Sequence, residues 1–127
     1  MKKVGFLGPN GTFTEEALEK AYLSGSNIEK KAFSSIGLLF EAFNRKDIEA
    51  MLVPIENSIG GSVDHTFDQM ITSPCVNIQR EIIMSISQCL LAKRKLPISD
   101  ITDILSHPQP IEQCQKFINS SLPEAEL

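Results

Sequence analysis

Three hydrogen-bonding side chains of different chemistry stand together at Glu56-Asn57-Ser58: an acid, an amide and a hydroxyl. They follow the apolar run Ala50-Met51-Leu52-Val53, which stops at Pro54. Proline lacks the N–H that a central strand needs, so the strand ends there. Gly60-Gly61 then permits a tight or positive-φ turn. Ser62 is placed to cap a helix that carries Val63, Phe67, Met70 and Ile71 at helical spacing. A strand, a polar turn and a helix put the turn at the carboxyl end of the strand, where open α/β sheets bind ligands. A plain connecting loop would explain one such turn. Three distinct polar groups between a proline and paired glycines favour a small polar ligand.

A second polar loop lies near the start of the chain. Gly8-Pro9-Asn10-Gly11 breaks a short apolar strand with turn chemistry at every position. Thr12, followed three residues later by Glu15, forms a capping box, and Ala17, Leu18, Ala21 and Tyr22 supply the apolar stripe of the helix. The loop thus delivers a helix N-terminus, with its unsatisfied N–H groups, to the end of the first strand, and such a terminus attracts anions. It is neither a Walker loop nor a dinucleotide fingerprint, because the required lysine and glycine spacings are missing. A well-capped helix with no further role also explains it. A third polar strand end reads Ser106-His107-Pro108-Gln109, with Gln113 in the helix that follows.

The chain has 127 residues, 42% hydrophobic and 22% charged, with a net charge of −4. That balance fits a globular protein and argues against nucleic acid or an anionic membrane as a partner. No run approaches the ~20 apolar residues of a membrane span. Met1-Lys2-Lys3 runs straight into a strand without the apolar core of a signal peptide. Cys75, Cys89 and Cys114 are far apart and read as reduced, mostly buried thiols of a cytoplasmic protein. His65 and His107 have no partner at metal-ligand spacing, so no metal site is expected.

These loops need elements to hold them. Strands are expected over residues 4–7, 27–33 and 48–53. Between the last two, Ser34 or Ser35 caps a helix with Ile36, Leu39, Phe40 and Phe43 on one face. This βαβαβ order implies a parallel sheet. Beyond Pro74 the texture changes, and residues 76–90 alternate with period two, as one extended strand or two pieces of one. A short helix or turn follows at 98–101, then a strand at 102–105. A helix with Pro110 in its first turn carries Ile111, Cys114, Phe117 and Ile118. Residues 1–74 therefore read as one α/β lobe and 75–127 as part of a second.

Gly8-Pro9-Asn10-Gly11-Thr12-Phe13-Thr14, the run from Val53-Pro54-Ile55-Glu56-Asn57-Ser58 to Gly60-Gly61-Ser62-Val63, and Ser106-His107-Pro108-Gln109 with Gln113-Cys114 resemble prephenate dehydratase. All three motifs stand in that family's order and approximate spacing. The resemblance implies an α/β, two-lobed fold of periplasmic-binding-protein type, the second lobe incomplete here, with the active site in the cleft. It implies conversion of prephenate to phenylpyruvate, carbon dioxide and water, without a cofactor. It also implies a following regulatory ACT domain, absent from this chain; a homodimer is expected from the open strand edges of the second lobe. On that basis Asn57 and Glu56 are the expected catalytic residues, and Thr12, Ser58, Ser106 and Gln113 the substrate-binding ones. Glu56 beside a dianion must be protonated or paired with a cation, unless it serves to cap a helix or to orient Asn57. The family's Thr-Arg-Phe motif has no match, Gln88 stands where a histidine is frequent, and Pro110 where alanine is common. The chain therefore reads as the N-terminal portion of the enzyme, weakly active or inactive alone. The alternative is a small-carboxylate binding module of the same fold without catalysis. An incomplete second lobe is expected either to dimerise or to leave the last residues, Glu124-Ala125-Glu126-Leu127, poorly packed.

Overall fold

The computed structural model describes residues 1–22, 26–58 and 60–127. The chain divides into two units, Met1–Ser85 and Ile86–Leu127.

In the first unit, β1 (Lys2–Leu7), β2 (Ile28–Phe33) and β3 (Ala50–Leu52) form a parallel sheet in the order β2-β1-β3. Side chains alternate across a strand, so β1 serves two faces at once. Val4 and Phe6 are buried with Leu18 of α1 (Phe13–Ala21), and Tyr22, Ile28, Ala50 and Leu52 pack around them. On the other face Leu39 and Ala42 of α2 (Ile36–Asn44) pack with Ile48, Phe33 and Met51. Gly5 points to that second face. A Cβ there would lie 2.5 Å from Leu39 Cδ1 and 2.6 Å from Ile48 Cδ1, so β1 approaches α2 as closely as a bare backbone allows.

The helix ends follow local chemistry. Thr12 caps α1, its hydroxyl accepting the Glu15 N–H. Of the two candidate serines, Ser35 caps α2 by accepting the Leu38 N–H at 3.2 Å. At the far end of α2, Asp47 N–H donates to the Ala42 carbonyl and Lys46 N–H to that of Phe43, a Schellman closure. Lys46 occupies its left-handed position at φ 64°, where glycine is favoured. Lys46→Gly is accordingly expected to stabilise the fold by about 0.5–1 kcal/mol, the left-handed cost relieved less the extra chain entropy of glycine. A higher urea midpoint at unchanged slope is the readout.

Several expectations need correction. Ser62 does not cap the third helix. Its backbone is committed to β5 (Gly61–Ser62), which pairs antiparallel with β4 (Glu56–Asn57). The helix, α3 (Asp64–Thr72), starts after Val63 with no side-chain cap. Its buried side is turned from the expected stripe: Thr66 and Ser73 are buried, whereas Phe67 is 40% and Ile71 81% exposed. The period-two segment 76–90 forms no ladder among the described residues. Alternation describes how a strand would pair, but a strand exists only with a partner backbone. Cys75 and Cys89 are exposed and Cys114 is half-buried, against the expectation of mostly buried thiols; Cys89 lies in the segment that joins no sheet among the described residues and so has no strand face to be buried against.

In the second unit, a 3-10 turn (Ile98–Asp100) precedes α4 (Pro108–Ser121), whose first residue is itself a proline. The expected strand at 102–105 reduces to one parallel bridge, Asp103 with Glu126. Glu126 N–H donates to the Thr102 carbonyl and Ile104 N–H to that of Glu126, both at 2.8 Å, which ties down the end of the chain. Ile118 and Leu122 of this unit are buried. No helix among the described residues is long and apolar enough to cross a membrane.

Candidate active site

The strand order β2-β1-β3 means that the chain leaves β1 towards one side and returns on the other. Between β1 and β3 lies the switch point, where connections diverge and open α/β sheets form a crevice. Phe6 pairs with Leu52, so residues 8–12 and 53–58 leave neighbouring strands at the same edge. Thr12 and the hairpin that carries Glu56, Asn57 and Ser58 therefore follow two paired strands of one sheet, at the same edge.

Residues 8–12 are held from below. Lys30 on β2 donates to Glu15 and to Glu19, at 2.7 Å each, and Glu15 accepts the Gly11 N–H at 2.7 Å. The carboxylate thus reaches one residue further back than in an ordinary capping box. Thr12 Oγ1 donates to the Leu7 carbonyl at 3.3 Å while accepting from Glu15. With the hydroxyl engaged on both sides, the first-turn N–H groups of α1, beyond any intrahelical acceptor, are the donors this loop can offer an anion.

The Lys30 ammonium and the Gly11 N–H hold the Glu15 carboxyl below its ordinary value of 4.5, against a smaller opposing effect of burial. Glu15 and Glu19 hold Lys30 above its ordinary 10.5. A depressed carboxyl contributes stability that is complete above 4.5 and is lost as pH falls through its lowered value. A raised ammonium contributes below 10.5 and loses this as pH rises through its raised value. The Gly11 amide resonance is therefore expected to titrate with a midpoint below 4.5, and Lys30→Ala to move that midpoint up towards 4.5. A Gly11 midpoint insensitive to Lys30 would contradict the linkage.

The Glu-Asn-Ser stretch is a hairpin rather than an open loop. Glu56 pairs with Ser62 and Asn57 with Gly61, which sits at φ 75°. Asn57 Oδ1 accepts the Gly60 N–H across the turn. Gly61 thus bears out the reading that this turn needs a glycine. Asn57 is half-buried, and Glu56 and Ser58 are exposed. Ile59 lies outside the described residues. Below the hairpin, Val63 N–H donates to the Ile55 carbonyl at 2.8 Å. Thr66 Oγ1 donates to the Pro54 carbonyl at 2.7 Å. In the second unit, Ser106 is exposed just before α4, and Gln113 within α4 accepts a hydrogen bond from Gln88 Nε2 at 3.2 Å.

Sequence reasoning missed Lys30 and Thr66. Lys30 carries no local signal, since it acts on a helix packed from elsewhere. Thr66 did leave one: a polar residue three positions after Val63, on the side of the helix that Val63 shares.

The sequence matches the family model for prephenate dehydratase over residues 4–127, a span that includes all three polar strand ends. It is 35% identical over 113 residues to arogenate dehydratase 2 of Petunia hybrida, covering 89% of this chain and 28% of that protein. It is 33% identical over 123 residues to the prephenate dehydratase of Bacillus subtilis, covering 95% of this chain and 42% of that one. The chain thus spans less than half the length of these relatives. Among solved structures, the prephenate dehydratase of Streptococcus mutans matches with a TM-score of 0.51 at 34% identity, over 56% of this chain and 36% of that one. With the family model matched over nearly the whole chain and solved and curated relatives at 33–35% identity, the chain belongs to the prephenate dehydratase family.

Proposed function

We propose that this chain forms part of a cytoplasmic prephenate dehydratase, with 1–74 as the first lobe and 75–127 as part of the second in a fold of periplasmic-binding-protein type. The observation that carries the reading is that the residue 8–12 loop and the segment leading into the Glu56–Asn57 hairpin leave the paired strands β1 and β3 at the same edge, the switch point of the sheet. Prephenate is a dianion whose ring carries a carboxylate and, opposite it, a hydroxyl. Breaking the ring–carboxylate bond releases carbon dioxide, and its electron pair enters the ring. The hydroxyl leaves with one added proton as water, and the ring becomes aromatic. The protein has to orient the dianion, strip water from the departing carboxylate and deliver that proton.

The α1 N-terminus beside Thr12 holds one carboxylate. The Asn57 amide and the Ser58 hydroxyl donate without adding negative charge. Glu56 makes no ion pair among the described residues and works by holding the hairpin that presents Asn57. Ser106 and Gln113 are the second lobe's contribution. No cofactor takes part, and the whole enzyme is a homodimer with an ACT domain.

A second substrate has specific support, since the petunia relative is named an arogenate dehydratase. Arogenate carries an amino group where prephenate carries a keto oxygen, and the same elimination would give phenylalanine. The test uses this chain and a version extended to the length of the Bacillus subtilis relative. Each is incubated with prephenate, following phenylpyruvate, and with arogenate, following phenylalanine. Turnover of prephenate by the extended protein is expected. Saturable binding without turnover of either compound would instead establish a binding module.

A further inference from the structure

Buried polar side chains are the informative exceptions in a core. The described residues of this chain show two, Thr66 at 0% and Ser73 at 3% exposure, the first in the opening turn of α3 and the second its C-cap. Ser73 Oγ accepts a hydrogen bond from Asn44 Nδ2 of α2 at 3.3 Å, which pins the end of α3. Thr66 pins its beginning to a different element, the Pro54 carbonyl where β3 leaves the sheet. α3 has no side-chain cap of its own, and the Thr66 bond instead anchors its first turn to the backbone that leaves β3. Together with the bond from Val63 N–H to the Ile55 carbonyl, it clamps residues 54–55 to residues 63–66. The intervening chain, which carries Glu56 and Asn57, is thereby closed at its base.

We infer that Thr66 is a positioning residue: its buried hydroxyl sets the height and orientation of the Glu56–Asn57 hairpin, and hence where the Asn57 amide meets substrate. The inference rests on the dehydratase reading for its catalytic part. Small misplacements of a donor carry large rate penalties, so the hydroxyl matters to turnover more than to binding.

Thr66→Val keeps the shape and removes the donor, and Thr66→Ser keeps the donor. In the 127-residue chain, Thr66→Val is expected to shift the Asn57 side-chain and Gly61 amide resonances, and Thr66→Ser to leave them in place. In the extended enzyme Thr66→Val is expected to lower kcat about 10–100-fold with KM changed less than about threefold, and Thr66→Ser to restore it. Ser73→Ala, which loosens the other end of α3, is the control and should leave kcat near wild type. Unchanged hairpin resonances in Thr66→Val overturn the inference, as does an equal loss of kcat in Ser73→Ala. Should Thr66→Val fail to fold, Thr66→Ser decides: a kcat loss of about tenfold or more there overturns it. Absence of turnover in the wild-type extended enzyme would remove the dehydratase reading itself, and the resonances would still judge the clamp.

Discussion

Asn57→Ala in the extended enzyme will lower kcat by about 10²–10³-fold, equivalent to ~2.7–4 kcal/mol, because a donor facing developing charge is worth that much in a water-poor site. The loss should exceed any loss of stability. Asn57 Oδ1 accepts the Gly60 N–H, so truncation also removes one turn-closing bond, worth only about 0.5–1.5 kcal/mol. Asn57→Asp separates the two roles. A carboxylate can still accept from Gly60, so the hairpin survives, but it presents a negative charge to a dianion instead of an amide donor. Asn57→Asp should therefore melt close to wild type and be at least as inactive as Asn57→Ala. Wild-type kinetics in either variant would remove Asn57 from the machinery and leave it as a turn residue.

Phe6→Ala will cost about 3–5 kcal/mol of unfolding free energy, the usual penalty for emptying an aromatic site in a packed core. Phe6 is 1% exposed on the central strand, packed with Val4 and Leu18 beneath α1. The opposite face of the same strand cannot move in to fill the void, because Gly5 already holds the backbone against Leu39 and Ile48. At ~0.05–0.15 kcal/mol per residue, a unit of this size has about 4–13 kcal/mol in all, so the loss is a large share of it. Urea titration followed by circular dichroism should show a large fall in midpoint or no folded baseline at all. A change below about 1 kcal/mol would mean that the sheet tolerates repacking and that the account of β1 as a strand pinned on both faces is wrong.

Local patterns were enough for much of the first unit. Apolar runs of four to six residues, broken by Gly8-Pro9 and Pro54, mark β1 and β3, and capping chemistry at Thr12 and Ser35 marks where α1 and α2 begin. The positive φ of Gly61 was legible because few other residues tolerate that conformation. The alternating strand and helix order already implied a parallel sheet, and so placed both polar loops at one edge. The three polar strand ends were also enough to name the family.

What sequence could not reveal depends on a partner distant in the chain. Residues 76–90 alternate as a strand does, yet alternation says nothing about whether a second backbone is there to pair. Ser62 has the chemistry of a cap, but pairing with Glu56 commits its backbone before the helix begins. The stripe of Val63, Phe67, Met70 and Ile71 marks an amphipathic helix without saying which side the core takes. Bonds from Thr66 to Pro54 and from Asn44 to Ser73 accompany a different buried side from the apolar count. Lys46 bends left-handed against its own preference because the Schellman closure of α2 requires it. Periodicity, capping and turn chemistry are written within a few residues, so the sequence by itself determined the β1–β3 and α1–α2 core of the first unit, the polar loops that follow β1 and β3, and the family. Burial, strand pairing and the clamp beneath Asn57 arise from contacts between residues far apart in the chain, so only the tertiary structure decided them.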